Sequence, residues 1–238
     1  MSLIELLVVI SIIGILAGLI LPAVGNMKKK AREAQAKKEM ADIKGAISVY
    51  QNDYSRLPAS TAAAGVGGDF TFGTTGSGYG TNIINSTAPT YQAGNAELMV
   101  ILTASTFPSY TPHSTVAGDR RNPRKTPYFN AKSPGAAGAN AGPGLGTDGV
   151  MRDPWGNPYI IALDLNYDGW VSNSVYNGTA INAFSTGLAQ QPNPSPNFPH
   201  TYALKDSVMI FSFGQDGFFD TATAANNGVN KDNMLSWK

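Results

Sequence analysis

The chain has 238 residues, enough for one domain, or one domain plus an extended element. Charged residues make up 14% of it, against about 25% in an ordinary soluble domain, while Gly (26) and Pro (15) are plentiful. A net charge of +1 gives no electrostatic reason to expect a nucleic-acid partner, and the lack of cysteine excludes disulfides, thiolate metal sites and cysteine nucleophiles.

The sequence opens MSLIELLVVISIIGILAGLILPAVG, followed by NMKKKAR. Residues 6–24 carry no charge. As a helix they would run ~28 Å, about the thickness of a bilayer's hydrocarbon core. Segment 1–25 therefore reads as a transmembrane helix. A cleaved signal peptide is disfavoured because no basic stretch precedes the apolar run. A passive anchor is disfavoured by Glu5, since a carboxylate costs roughly 2.5–3.5 kcal/mol at the bilayer centre. The helix macrodipole offsets part of that cost near an N-terminus. A free α-amino group from another chain would offset more.

Beyond the apolar run, Ala36, Met40, Ile43, Ile47, Tyr50, Tyr54 and Leu57 recur at alternating spacings of four and three. That pattern predicts an amphipathic continuation of the same helix over 26–58, ended by Pro58. Gly14, Gly18, Pro22 and Gly25 interrupt the apolar half, and Pro22 invites a kink or local melting because it lacks an amide donor.

Residues 59–238 read as one globular part with long loops. The Gly/Thr/Ser-rich stretch 59–96 is a long loop that Phe70, Phe72, Tyr79 and Tyr91 pin to a surface. NAELMVILTAS (95–105) reads as a short helix with Asn95 as its cap. TPYFNAK (126–132), YIIAL (159–163) and VMIFSF (208–213) read as strands. Segment 133–149 reads as a flexible loop and 172–200 as exposed. His113 and His200 sit in Pro-flanked contexts that suit loops better than ligands or bases. The fold class is α+β: one long helix against a small antiparallel sheet.

The opening string resembles the mature N-terminus of type IV pilins and type II secretion pseudopilins. It departs from their pattern at Met1, where Phe is usual, and at Ser2, where Thr is common. Asp153-Pro-Trp-Gly-Asn-Pro-Tyr159 resembles the start of the sheet in the major pseudopilin, and Asn122-Pro-Arg-Lys125 before a strand resembles longer relatives with the same segment. The resemblance implies that a prepilin peptidase exposes and methylates Met1. It implies that Glu5 meets the amine of a neighbouring subunit, and that Gly14 and Pro22 mark the stretch that opens in a filament. It further implies an inner-membrane stage, an assembly platform, and a homopolymer that ends as an extracellular filament or periplasmic pseudopilus. The basic run from Lys28 to Lys38 would be cytoplasmic by the positive-inside rule. The family places that side outside, its short leader being the basic element.

Two loops carry oxygen ligands suited to calcium. Asp164, Asn166 and Asp168, followed by Gly169, match the first half of an EF-hand loop, but Val175 stands where a bidentate Glu is needed. A turn held by side-chain hydrogen bonds is the plainer reading there, and a weaker site borrowing a distant carboxylate is the other. The C-terminal stretch holds Asp216, Asp220 and Asp232 between small polar residues, and it reads as a solvated loop or as a Ca²⁺ loop. The family's calcium loop begins Gly-x-Asp-Gly and ends near Ser-Trp. Gly214 to Gly217, Asp232 and Ser236-Trp237 match that pattern, with a longer insertion and Asn233 in place of an apolar residue.

No catalytic motif stands out, which excludes the P-loop, HExxH and GxSxG chemistries. The reading is of a non-enzymatic filament subunit. Long loops and sparse charge favour an exposed filament over a pseudopilus. The reading from another class is a membrane-tethered periplasmic binding or carbohydrate-processing module, against which Glu5 and the long amphipathic helix argue.

Overall fold

The computed structural model describes residues 2–65, 67–73, 94–107, 121–138, 141–173, 175–181, 186–191 and 202–238; the side chains at 19–23 and 62 lie outside the described set. Met1, Tyr79, Tyr91, His113 and His200 therefore lie outside the described residues.

Helix α1 spans Leu3–Tyr54, and the chain divides into two units at its interior, 1–35 and 36–238. In the first unit the helix carries its apolar side chains in the open. Leu3, Ile4, Leu6, Leu7, Val8, Val9, Ile10, Ile12, Ile13, Ile15 and Leu16 are all exposed. The backbone is helical through Gly14 and Pro22.

The second unit is built round the rest of α1. Ala36, Met40, Ile43, Ile47, Tyr50 and Leu57 are buried, as their four-and-three spacing demands, and Tyr54 packs partly buried beside them. Against them lies a sheet of four antiparallel strands in the order β1 (Phe70–Phe72), β4 (Ile160–Leu163), β7 (Val208–Ser212), β8 (Met234–Leu235). Phe70, Phe72, Ile161, Leu163, Val208 and Ile210 share one core with α1. The alternate residues Ile160, Ala162, Met209 and Phe211 join a second core with Val171, Val175, Tyr176 and Ile181. The period of two along each strand divides the apolar side chains between two faces, and both faces are covered.

Short pieces complete the unit. They are α2 (Thr61–Ala64), α3 (Ala96–Thr103), the pair β2 (Gly144–Leu145) and β3 (Met151–Arg152), and the pair β5 (Ala189–Gln190) and β6 (Tyr202–Ala203).

Several expectations are corrected here. Asn95 precedes α3 but does not cap it with its side chain. Instead it is buried and donates to the carbonyls of Met151 and Tyr159, each at 2.9 Å, while accepting the Met151 amide at 2.9 Å. A buried amide satisfies its donors wherever carbonyls are to be had, and here they belong to the sheet side of the unit. The stretch 126–132 joins no strand, because the Tyr128 and Phe129 amides both turn to the Leu102 carbonyl at the end of α3. The glycine-rich stretch 133–149 contains β2 and is locked by a buried ion pair, Asp148 Oδ2 to Arg152 Nη2 at 2.6 Å. The segment expected to be exposed over 172–200 buries Val175, Tyr176 and Ile181.

Candidate functional site

At the start of α1, Ser2 and Glu5 bind each other reciprocally. The Ser2 amide donates to Glu5 Oε2 at 2.7 Å, and the Glu5 amide donates to Ser2 Oγ at 3.3 Å. This is the Ser-x-x-Glu capping box, which satisfies two of the amide donors that every helix start leaves open. The pattern is legible in Ser2-Leu3-Ile4-Glu5, yet reading Glu5 only as a partner for another chain overlooks it. Glu5 is thus held at the helix mouth with one carboxylate oxygen engaged and the residue exposed.

Below it the helix is apolar round its whole circumference. Its one hydroxyl in this stretch, Ser11, donates back to the Leu7 carbonyl at 2.8 Å and so presents little polarity. A helix apolar on all sides is stable only when covered, by protein or by lipid. Among the described residues no helix is long and apolar enough to cross a membrane. The uncharged run 6–24 includes side chains at 19–23, which lie outside that set.

The DPWGNPY segment joins the sheet to α1. Asp153 is fully buried, and its Oδ1 accepts the Trp155 and Asn157 amides, each at 2.9 Å. Its other oxygen accepts the Ser212 hydroxyl from β7. Burial pushes this carboxyl up to about 6 against those hydrogen bonds. Tyr159, at the end of the segment, donates to Glu39 of α1 at 2.6 Å.

The C-terminal loop starts where β7 ends. Gly214 has φ 66°, and a Cβ there would lie 2.1 Å from the Asp232 carbonyl, so only glycine lets the loop ends meet this closely. Asp232 Oδ2 accepts the Gln215 amide at 2.6 Å and the Asp216 amide at 3.1 Å. The Asp216 carboxyl is raised by burial, opposed by the Phe218 amide, and raised again by the charge on Asp232. Asp220 turns elsewhere and accepts the Ala222 amide at 2.8 Å and the Thr223 hydroxyl. Sequence reasoning missed the residue that orders this loop, Asn230. It is buried, donates to the Asp220 and Thr223 carbonyls at 2.7 and 2.8 Å, and accepts the Asp220 amide at 2.9 Å.

In the second loop Asp164 accepts the amides of Asp168 (3.2 Å) and Gly169 (2.9 Å), while Asp168 accepts that of Trp170 (2.8 Å) and the Asn166 side chain (3.1 Å). Val175, at the twelfth position, is buried in the second core and offers no oxygen side chain. The structure adds a carboxylate that the sequence did not announce. Phe70 pairs with Leu163, so Asp69 falls beside Asp164 just past the ladder. Asp69 Oδ2 accepts the amide and hydroxyl of Ser172 at 2.7 and 2.6 Å, and its Oδ1 is buried with no hydrogen-bond partner. Burial raises this carboxyl to about 7 against the Ser172 bonds, with Asp164 and Asp168 raising it further. Among the described residues no three acidic, His or Cys side chains stand close enough together to hold a metal ion by themselves.

Two curated proteins are similar to part of this chain. One is the fimbrial protein EcpC of Eikenella corrodens, 43% identical over 65 residues, which are 27% of this chain and 42% of that protein. The other is type II secretion system core protein G of Klebsiella pneumoniae, 36% identical over 59 residues, which are 25% of this chain and 42% of that protein. The chain is thus similar, over about a quarter of its length, to a fimbrial protein and to a secretion-system core protein. It spans less than half the length of each relative it matches. No family profile and no solved structure matches it.

Proposed function

We propose that this pilin-related chain is the structural subunit of a helical filament, assembled through the N-terminal part of α1 after a stage in the inner membrane. One observation carries the reading. The helix over 3–16 exposes apolar side chains on every side. Burying apolar surface gives about 25 cal/mol per Å² in water, so such a helix demands a partner. In a bilayer lipid supplies the cover; once extracted, copies of the same helix supply it.

In this reading Met1 is the methylated terminus left by a prepilin peptidase, and Glu5 pairs with the amine of the next copy on an assembly platform. The capping box favours that role by holding the carboxylate at the helix mouth. Gly14 and Pro22 are where the helix opens on assembly. A filament displayed outside the cell is the first reading. The DPWGNPY turn and the similarity to a secretion core protein favour a periplasmic pseudopilus as the second. The test is Glu5→Ala: membrane insertion is retained and the yield of sheared filaments falls at least about tenfold, the effect of losing a charge-assisted contact. Undiminished yield contradicts the registering role.

We also propose that Ca²⁺ braces the C-terminal loop through Asp216 and Asp232 with neighbouring carbonyls, Asp220 being the outermost candidate. The 164–168 loop, with Asp164, Asn166 and Asp168, is a weaker second candidate. Hard-oxygen donors in a tight loop suit this ion. An ion that binds only the folded state adds ~2.7 kcal/mol at a hundredfold excess over Kd. Chelation then lowers the melting temperature of the full chain in detergent, and Asp216→Ala removes the difference. Identical melting with Ca²⁺ and with chelator contradicts this part of the proposal.

A further inference from the structure

Residues 6–27 carry no charge, and Lys28, Lys29, Lys30 and Arg32 follow at once. All four stand on helix α1 and belong to the first unit. Lys28, Lys29 and Lys30 are exposed, and Arg32 is half-buried. Among the described residues, none of these four side chains makes an ion pair or a hydrogen bond. Glu33 is the one acid in 26–35, and its carboxylate likewise has no ion pair among the described residues. Lys38, in the second unit, differs: it is paired with Asp42 at 2.6 Å.

The helical period sets how these charges are presented. Lys28 and Arg32 are four apart and share one side of the helix, while Lys29 and Lys30 are turned about 100° and 200° from Lys28. The cations therefore ring the helix. A folded partner docks on one face and would leave much of the ring unused, whereas a layer that surrounds the helix meets all of it. At a rise of ~1.5 Å per residue, Lys28 follows Val24 by ~6 Å and Arg32 by ~12 Å. The headgroup layer of a bilayer adds ~5–7 Å on each side of the hydrocarbon. Helical side chains lean toward the N-terminus, here back toward the apolar run, and the flexible stems of Lys and Arg let the charge settle at the interface. Like charges four apart, such as Lys28 and Arg32, destabilise an isolated helix, and anions between them remove that cost.

We propose that Lys28, Lys29, Lys30 and Arg32 form a collar that binds the headgroups of anionic phospholipids in the leaflet at the Val24 end of the apolar run. The proposal rests on the membrane stage of the filament reading and adds a lipid preference to it. A basic residue at an anionic surface strengthens association about fivefold, and the effect fades beyond a Debye length of ~8 Å. Lys28 to Lys30 fall within that reach of the headgroup layer. The collar fixes the depth of the subunit in the bilayer, and withdrawing the subunit into a filament breaks its headgroup contacts.

The experiment reconstitutes the full chain in phosphatidylcholine vesicles holding a trace of spin-labelled phosphatidylglycerol or spin-labelled phosphatidylcholine. Electron paramagnetic resonance then gives the fraction of each label slowed by contact with the protein. Wild type prefers phosphatidylglycerol about fivefold at 0.1 M salt, and the preference fades at 1 M, where the Debye length is ~3 Å. Replacing all four residues (Lys28→Gln, Lys29→Gln, Lys30→Gln and Arg32→Gln) brings the two labels to parity while slowed phosphatidylcholine stays at its wild-type level. Glutamine keeps helix propensity, and the four side chains make no contacts of the kinds above, so that variant folds and inserts. Lys37→Gln, in the second unit, leaves the preference unchanged. Slowed lipid with no preference in wild type, or a preference that survives the fourfold replacement, overturns the collar and leaves the membrane stage standing. No slowed lipid of either kind overturns the membrane stage, and the collar with it.

Discussion

Asp153 and Asp69 are buried carboxyls, and among the described residues neither has an ion pair. Their folded values, about 6 and about 7, stand above the usual carboxylate value near ~3.9. The folded chain therefore binds these protons more tightly than the unfolded chain does. Their contribution to stability is greatest below about pH 4 and is lost as pH rises through their folded values, becoming constant above. Asp148 acts oppositely. Burial would raise it, but the Arg152 guanidinium and the Gly138 and Val150 amides outweigh burial and lower it, so its contribution is lost in acid. Between pH 4.5 and 7.5 the first pair dominates, and the melting temperature of the full chain in detergent falls across that window. Asp153→Asn keeps an acceptor for the Trp155 and Asn157 amides and supplies an NH₂ for Ser212. It flattens the fall. A variant that melts with the wild-type pH profile shows that Asp153 is ionised in the folded chain throughout that window.

Among elements, the second half of α1 was the most legible, because one helix face carried an uninterrupted four-and-three pattern that burial then required. Ile47 is fully buried against the sheet, and Ile47→Ala costs about 2–5 kcal/mol, a transfer loss plus a cavity. Val49, two residues on, is about half exposed at 52%, and Val49→Ala changes stability by less than about 0.5 kcal/mol. Chemical denaturation of the full chain in detergent compares the two, and equal costs contradict the packing described. Strands β4 and β7 were legible for the same kind of reason, being short runs of β-branched and aromatic residues. The pairs β2–β3 and β5–β6 were not, since two residues are too few to show a period. Asn95 looked like a cap because capping is local, whereas its actual partners lie 56 and 64 residues away. Asn230 and Asp69 escaped for the same reason: what each binds is set by strand register and loop closure, neither of which is written in adjacent residues.

At the scale of the whole molecule, the two units ask for different surroundings. Among the described residues, the unit from Ala36 onward covers its own apolar residues, with one core on each face of a four-stranded sheet. The first unit does not, since its apolar side chains face outward from Leu3 to Leu16 and its only acid in that stretch sits at the helix mouth. The capping box was legible in Ser2-x-x-Glu5, and the demand for a partner was legible in the unbroken apolar run. What covers the run is decided between molecules. The most direct measurement is helical reconstruction of filaments sheared from cells expressing the chain. Leu3 to Leu16 then lie buried between neighbouring copies, with each Glu5 against an adjacent terminal amine. Filaments held together mainly by contacts between the sheet-bearing units, with Leu3 to Leu16 uncovered, would contradict the account.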